Sequence, residues 1–398
     1  MKQLTDAISY CGVLNPNMRV FDVIMRTEYG TSYNSYVVRG SEKTAIIDAS
    51  HKTFSDAYLG DLAAEFAVRP PDYLVLNHTE PDHSGAVADL VRRYPDITLV
   101  LTAAAAVFIK AISNLDDLKL HVVKNGDEIS LGDKTLRFIP APFLHWPDTM
   151  FTYVPEEKAV FTCDFLGAHY CEPQLLDTAI VYPDAYLAAA KHYYDCIFGP
   201  FPGYVRAGLE KLRELDFDIA LTSHGPLLTK NGKLGDIIGA YTDWSTEKPR
   251  GQKHIPIFYC TAYRNTQLLA EAIKVGIKKA LPDAEVGTYN IIEHDLDSLA
   301  ALLNGSDAFA VGSPTINRDA VPPVMQLLSL TDSINIAKRP AAVFGSYGWS
   351  GEGVPHAAER LTSVGCEVFG QYRVNFVPSG SDINGAVAFG ENFAKSLK

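Results

Sequence analysis

The sequence predicts two α/β domains in tandem, a first of irregularly mixed strands and helices and a second built as a doubly wound parallel sheet. Three observations carry this. The chain has 398 residues, more than one core usually organises, since domains run to about 150–250 residues. Regular β-α alternation begins only after residue 254. Between the two grammars lies STEKPRGQKH (245–254), polar, basic and interrupted by Pro and Gly, as linkers are. The expected domains are therefore 1–248 and 249–398.

In the first half, MRVFDVIM, TSYNSYVVRG and KTAIIDAS (residues 18–50) combine β-branched and aromatic residues with turn residues, which predicts hairpins. A helix is expected over 53–66. The strand DYLVLNH (72–78) follows, too short and too rich in branched residues for a helix. Next come a helix near 86–94, the strand TLVLT (98–102), an alanine-rich helix to about 112, and strands at 118–123, 134–139 and 157–163. Helical patterns fill 183–214 before the strand DIALTSH (218–224). In the second half, IPIFYC (255–260), AEVGTYNI (284–291), DAFAVGS (307–313), PAAVFGS (340–346) and CEVFGQYRVN (366–375) read as five strands separated by helices. That order predicts a parallel sheet whose ligand sits at the C-terminal strand ends.

Composition narrows the function. Hydrophobic residues make up 47% and charged residues 21%, a globular balance rather than a disordered one. A net charge of −12 argues against nucleic acid, whose phosphates need clustered Lys and Arg. The six cysteines, Cys11, Cys163, Cys171, Cys196, Cys260 and Cys366, form no C-x-x-C pair. They predict buried thiols of a reducing compartment, with neither a zinc knuckle nor a rubredoxin-type iron module. The N-terminus lacks signal-peptide character and no run of 18 apolar residues occurs. A cytoplasmic protein is the expectation.

Four ligand-type side chains, His78, Glu80, Asp82 and His83, fall within six residues at the end of the strand 72–78. Alternate residues of an extended chain point the same way, so His78, Glu80 and Asp82 are expected on one face, with His83 turning in as the chain bends. His145, Asp164 and His224 each end an apolar run, at positions where strands should finish.

The pattern H-x-[EH]-x-D-H followed by spaced His, Asp and His resembles the binuclear metal site of the metallo-β-lactamase fold. The position usually held by His in the zinc hydrolases of that fold is Glu80 here. A carboxylate adds charge and a hard oxygen donor, which favours iron over zinc. With LHWPDTMFTYVPEE (144–157) beside it, the chain resembles the flavo-diiron proteins. That resemblance implies an αββα sandwich for the first domain. It also implies that His78, Glu80 and His145 bind one iron, that Asp82, His83 and His224 bind the other, and that Asp164 bridges them. His83 is the least secure ligand, because some members turn this residue towards the metal without binding it. His169 is expected just outside the ligands. Tyr193 and Tyr194 either line the metal pocket or belong to the core.

Three loops after strands of the second half suggest a flavin. Cys260-Thr261-Ala262-Tyr263-Arg264-Asn265-Thr266 enters a helix and resembles the flavodoxin phosphate loop, with Arg264 where that family carries glycine. Ser313-Pro314-Thr315-Ile316-Asn317 follows a buried strand. Ser346-Tyr347-Gly348-Trp349-Ser350-Gly351 offers glycines for close backbone approach and aromatic faces for a flat ring. The last two are near-verbatim signatures of the flavodoxin-like domain of flavo-diiron proteins. No G-x-G-x-x-G follows the first strand, so direct NAD binding is not indicated.

The resemblance spans the whole chain and implies an oxidoreductase that passes electrons through FMN to a non-haem diiron site, reducing dioxygen to water or, alternatively, nitric oxide to nitrous oxide. Reduced FMN and two ferrous ions together hold the four electrons that dioxygen needs. It further implies a separate donor, a rubredoxin-like carrier or a reduced deazaflavin, and a head-to-tail homodimer or a dimer of dimers. The rivals are a zinc hydrolase with an appended flavodoxin module and a pure electron carrier.

Overall fold

The computed structural model describes residues 1–246 and 251–397. The chain forms two compact units, Met1–Glu247 and Lys248–Lys398. The centre of the expected linker, residues 247–250, lies outside the described residues.

The first unit stacks two sheets face to face. One has seven strands, in the order Lys2–Gln3, Ile8–Tyr10, Tyr36–Arg39, Thr44–Ile47, Tyr73–Val75, Thr98–Leu101, Leu120–Val122. Its first half is antiparallel and the last four strands run parallel. The other has six, from Glu128–Ser130 through Thr135–Pro140, Met150–Val154, Ala159–Cys163 and Ile219–Thr222 to Leu228–Thr229. Within it only Ala159–Cys163 and Ile219–Thr222 are parallel to each other. Tyr36, Val38, Ile47 and Val75 of one sheet pack against Phe138, Met150, Phe161 and Leu221 of the other. The outer face of the first sheet buries Tyr58, Leu62, Leu90 and Ile109 from three helices. The outer face of the second buries residues of the helices Pro183–Ile197, Pro202–Arg213 and Leu234–Ser245. Each sheet is thus apolar on both faces, and the layers read helix, sheet, sheet, helix, as the resemblance implied.

The second unit is a five-stranded parallel sheet ordered Thr288–Asn290, Ile257–Tyr259, Phe309–Gly312, Pro340–Tyr347, Glu367–Asn375. Helices cover both faces. The helices Asn265–Ala280 and Gly380–Ser396 on one face touch through glycines. A Cβ on Gly276 would lie 2.0 Å from the Val387 carbonyl oxygen, and one on Gly390 would lie 2.2 Å from that of Ile273. Side chains there would force the helices apart.

Several elements were not anticipated. The strand Met150–Val154 is buried along its whole length, so it shows no alternation. The helix Leu234–Ser245 and the N-terminal strands were also missed. Four cysteines are buried as expected, but Cys171 is half-buried and Cys196 is exposed, and all six are free. Among the described residues no helix is long and apolar enough to cross a membrane.

Candidate metal centre and flavin loops

The parallel strands of the first unit deliver the candidate ligands to one edge of the sandwich. Asp48 and the loop 77–83 follow neighbouring parallel strands of one sheet, and Asp164 and His224 follow the two parallel strands of the other. Asn77 stitches the edge together. Its backbone N–H and side-chain N–H donate to Asp48 at 2.8 and 3.0 Å, while its Oδ1 accepts from Thr152 Oγ1 at 2.7 Å. Met150 N–H donates across to the Asn77 carbonyl at 2.8 Å.

The chain does not stay extended through Asp82. Glu80 is the N-cap (φ −54°, ψ 141°) of a helical turn, Pro81–Ser84, opened by Pro81. His78 and Glu80 present alternating extended positions, whereas Asp82 and His83 are placed by the turn. His145 also departs from expectation. It lies in the loop between Thr135–Pro140 and Met150–Val154, not at a strand end.

All seven side chains nevertheless converge. Glu80 Oε2 lies 3.2 Å from His78 Nε2 and 2.9 Å from His145 Nε2, and Asp164 Oδ2 lies 3.7 and 3.6 Å from the same two nitrogens. On the other side, Asp82 lies 3.3 Å from His83 Nε2 and 3.1 Å from His224 Nε2, and Asp164 Oδ1 lies 3.0 and 3.4 Å from them. The Asp164 carboxylate thus turns one oxygen to each group.

Metal fit follows from what these atoms fail to do. Both oxygens of Asp82, both oxygens of Asp164 and both ring nitrogens of His83 are buried without a hydrogen bond of proper geometry. They aim at common points rather than at one another. With bonds of about 2.1 Å, ligand atoms around a cation stand roughly 3.0–3.4 Å apart, and the spacings above scatter about that range, from 2.9 to 3.7 Å. An unpaired buried carboxylate is otherwise costly.

The outer partners fix ring orientation. The buried Asp148 carboxylate contacts His78 Nδ1 at 3.1 Å and accepts from Thr79 N–H at 2.8 Å and Thr79 Oγ1 at 2.6 Å. Burial raises the Asp148 carboxyl, but the bonds from His78 and Thr79 outweigh it and hold it below its usual range. His224 Nδ1 donates to the Ser32 carbonyl at 2.6 Å, leaving the Nε2 lone pair for the centre. For Glu80, burial is likewise overcome by hydrogen bonds from His145 and His78, which keep its carboxyl low. Burial lowers His83, but the Asp82 and Asp164 charges prevail and push it up to about 10.

His169 sits behind His224, its Nδ1 2.9 Å from Thr31 Oγ1 and its ring 4.8 Å from that of His224. Burial and the neighbouring His224 hold it neutral. The Tyr193 ring packs 4.9 Å from His169 and 6.0 Å from His224. Tyr194 instead packs on Tyr241 and Trp244, in the core. Sequence reasoning missed Asp148, Ser32 and Cys163. Only Asp148 left a signal, within the quoted HWPD. The Cys163 thiol adjoins His83 and Asp164, but burial pushes it far up and it accepts from Ser223 at 3.2 Å, so it stays protonated.

In the second unit the first loop meets the helix Asn265–Ala280 through Arg264, whose φ is +66°. Arg264 thus adopts the left-handed backbone that its Cβ disfavours and that a glycine would take freely. The helix has no side-chain cap, and the buried Thr261 hydroxyl has no partner. An unpaired hydroxyl beside uncapped helix N–H groups fits a phosphate. Thr266 Oγ1 lies 3.0 Å from Ser346 Oγ, which joins the first loop to the third. The Ser313 hydroxyl is already engaged, accepting from Val321 N–H at 3.0 Å and donating to the Pro314 carbonyl at 2.8 Å. Thr315 Oγ1 accepts from Gly353 N–H at 3.2 Å. Their side chains shape the loop, so a ring ligand would meet its backbone. A cleft of about 380 Å³ runs between Thr315, Asn317, Gly348, Trp349 and Ser350. Gly351 turns with φ +76°, while Ala262 and Tyr263 lie in the exposed part of the first loop.

Residues 31–225 match the family described as ODP family beta lactamase, and residues 257–390 match flavodoxin. The chain is 46% identical to flavo-diiron protein FprA2 of Clostridium acetobutylicum, over 99% of each. It is 33% identical to the anaerobic nitric oxide reductase flavorubredoxin of Vibrio vulnificus, over 93% of this chain and 75% of that one. The crystal structure of the flavodiiron protein from Giardia intestinalis superposes with a TM-score of 0.69 at 26% identity, covering 100% of this chain and 96% of the other. With both domains matched in order and its full length shared with FprA2, the chain belongs to the flavo-diiron protein family.

Proposed function

We propose that the protein is an oxidoreductase that reduces dioxygen to water at a non-haem diiron site fed by FMN. The observation that carries this is Asp164, whose two oxygens each face a separate group, His78, Glu80 and His145 on one side and Asp82, His83 and His224 on the other. When bound, the iron pair and FMN supply the redox equivalents for reducing a small gas molecule. The residues supply the rest. Asp164 would hold one cation on each of its oxygens, so that a small ligand could meet both. Glu80 selects iron over zinc by charge and hardness, so the hydrolase alternative is set aside. Asp148 and Ser32 hold His78 and His224 with Nε2 inward. His169 and Tyr193 close the space behind His224 and exclude bulk water.

In the second unit, Thr261, Arg264, Asn265 and Thr266 would hold the FMN phosphate, with Ser346 supporting Thr266. The backbone of Ser313, Pro314, Thr315 and Asn317, with Tyr347, Gly348, Trp349, Ser350 and Gly351, would hold the ring. Electrons arrive from a separate small carrier, rubredoxin-like, or from a reduced deazaflavin. A head-to-tail homodimer, alone or paired into a tetramer, is the expected assembly. Exposed apolar side chains at both sites support it: Val23 and Ile24 beside the metal centre, Tyr263 and Trp349 at the flavin loops. Six free thiols support a cytoplasmic setting.

Nitric oxide reduction is the second reading, favoured by the identity to the flavorubredoxin. The test is anaerobic reduction of the iron- and FMN-loaded protein followed by rapid mixing with each gas. Fast reoxidation by dioxygen without released peroxide is expected. Turnover with nitric oxide alone would move the assignment to the second reading, and no fast reaction with either would overturn both.

A further inference from the structure

Behind the metal centre the first unit carries a cavity that none of the chemistry above uses. It encloses about 440 Å³ between residues 19–29 and the helix Pro183–Ile197, within the range of organic-ligand sites, about 300–1,000 Å³. The buried His169, Tyr193 and Ala189 form its floor, and the exposed Arg19, Arg26 and Glu28 stand at its mouth. Ala188 and Ala189 are small and leave the space open on the helix side. His192 Nε2 donates to the Arg26 carbonyl at 3.0 Å and ties the two walls together.

The floor presents a polar atom without a partner. His224 Nδ1 lies 2.6 Å from the Ser32 carbonyl and donates to it. The Thr31 hydroxyl therefore gives its own proton to His169 Nδ1, at 2.9 Å, in preference to that occupied carbonyl, at 3.3 Å. Nε2, on the opposite edge of the His169 ring, then carries a proton whether the ring is neutral or charged. It is buried and has no hydrogen-bond partner, and a buried donor left unpaired is costly.

The mouth is also rich in donors. Arg19 donates to the carbonyls of Pro16 and Met18, at 2.9 and 2.8 Å, and neither Arg19 nor Arg26 pairs with a carboxylate among the described residues. Two guanidiniums stand against the single carboxylate of Glu28, which leaves one positive charge in excess. Donors at both ends with apolar walls between them call for acceptors at both ends of an apolar body.

We propose that this cavity binds a small organic monocarboxylate, its carboxylate held by Arg19 and Arg26 at the mouth and a second oxygen accepting from His169 Nε2–H at the floor. An inorganic oxyanion has the charge but leaves the apolar walls uncovered. The His169 ring lies 4.8 Å from that of His224, so the occupant is one ring removed from a candidate metal ligand and does not reach the centre itself. The site stands whichever gas the centre reduces.

The test is calorimetric titration of the full-length, iron- and FMN-loaded protein, so that binding is read as heat and not as turnover. The probe is 4-hydroxybenzoate, compared with 4-hydroxybenzamide, which has its shape without its charge, and with inorganic phosphate, which has charge without the apolar body. Both comparators should bind at least about 10-fold more weakly, the value of a charge-assisted hydrogen bond or of a buried apolar group. Arg26→Gln should weaken 4-hydroxybenzoate about 10-fold, and Ala188→Phe, which fills the cavity from an exposed position, should abolish its binding. Iron and FMN content should be unchanged in both variants. Equal affinity for the amide would remove the role of charge, and equal affinity for phosphate would make this an inorganic-anion site; either result overturns the proposal. Undiminished binding in Arg26→Gln and Ala188→Phe would place the ligand elsewhere, the metal centre included, and overturn it too. So would the absence of any binding by the native protein at millimolar probe.

Discussion

The metal centre and the flavin loops are prepared for their ligands in opposite ways. At the metal centre the candidate ligands are drawn from four separated stretches of chain and sealed in, with His78 fully buried and carboxylate oxygens left unpaired. At the flavin loops the side chains are local in sequence and open, with Trp349 95% and Tyr263 87% exposed. The difference follows from the ligands. A cation of high charge density repays the burial of charges that nothing else could offset. A flat, amphipathic ring needs one anchored phosphate and a surface to lie on. One site is therefore defined by enclosure and the other by a few contacts, and single substitutions should weigh differently on the two.

The sharpest contrast is Asp164→Ala. Replacement of an outer partner of a metal ligand costs about 10–100-fold in metal affinity, so loss of the shared carboxylate should cost more than about 100-fold. FMN should stay bound. Iron analysis with flavin absorbance reads both, and native iron content in the variant would remove the bridging role. Asp148→Asn comes next, since the carboxylate orients His78 without joining the centre. A drop of about 10–100-fold is expected, measured as iron retained after dialysis against a chelator. In the second unit, Thr261→Val should weaken FMN about 10-fold, the value of one hydrogen bond to a charged group. Binding of riboflavin, which lacks the phosphate, should not change. A matching loss for riboflavin would place Thr261 elsewhere. Trp349→Ala is the mildest, about 3–10-fold on FMN from lost stacking, with iron unaffected. Simultaneous loss of both cofactors in this variant would break the comparison, because it would tie an exposed flavin contact to a buried metal centre in the other unit.

How legible each site was in the sequence follows the same divide. The second unit could be read almost directly, since its three central strands are buried apolar runs each followed by a loop, and the candidate ligand contacts lie within a few residues of those strand ends. Its surprise was Arg264, where the chain holds a left-handed backbone without glycine. In the first unit Asp164 and His224 were legible because they end apolar runs. His145 was marked in the same way, but it belongs to the loop between Thr135–Pro140 and Met150–Val154 rather than to a strand end. The bend at Pro81 defeated simple alternation, since a single helical turn has no periodicity to detect. Ser32 left no trace. It acts through folding that brings residues 31–35 back against His224, far along the chain, and no local pattern encodes that return. The strand Met150–Val154 was missed because burial on both faces erases the period of two.

The scatter of the candidate ligands along the chain also bears on the life of the protein in a cell. Residues 78–83, 145, 164 and 224 converge on one point, so a cation pair held there would act as a removable cross-link across most of the first unit. Without it, the unpaired buried carboxylates and imidazoles would destabilise the first unit, and the loops after the parallel strands should open more often. During iron starvation, newly made chains should fall to proteases within the first unit and keep a resistant fragment of the second. Limited proteolysis of metal-free and loaded protein would show it, and equal digestion of the two would refute it. Turnover would then match the amount of this protein to the iron available to arm it.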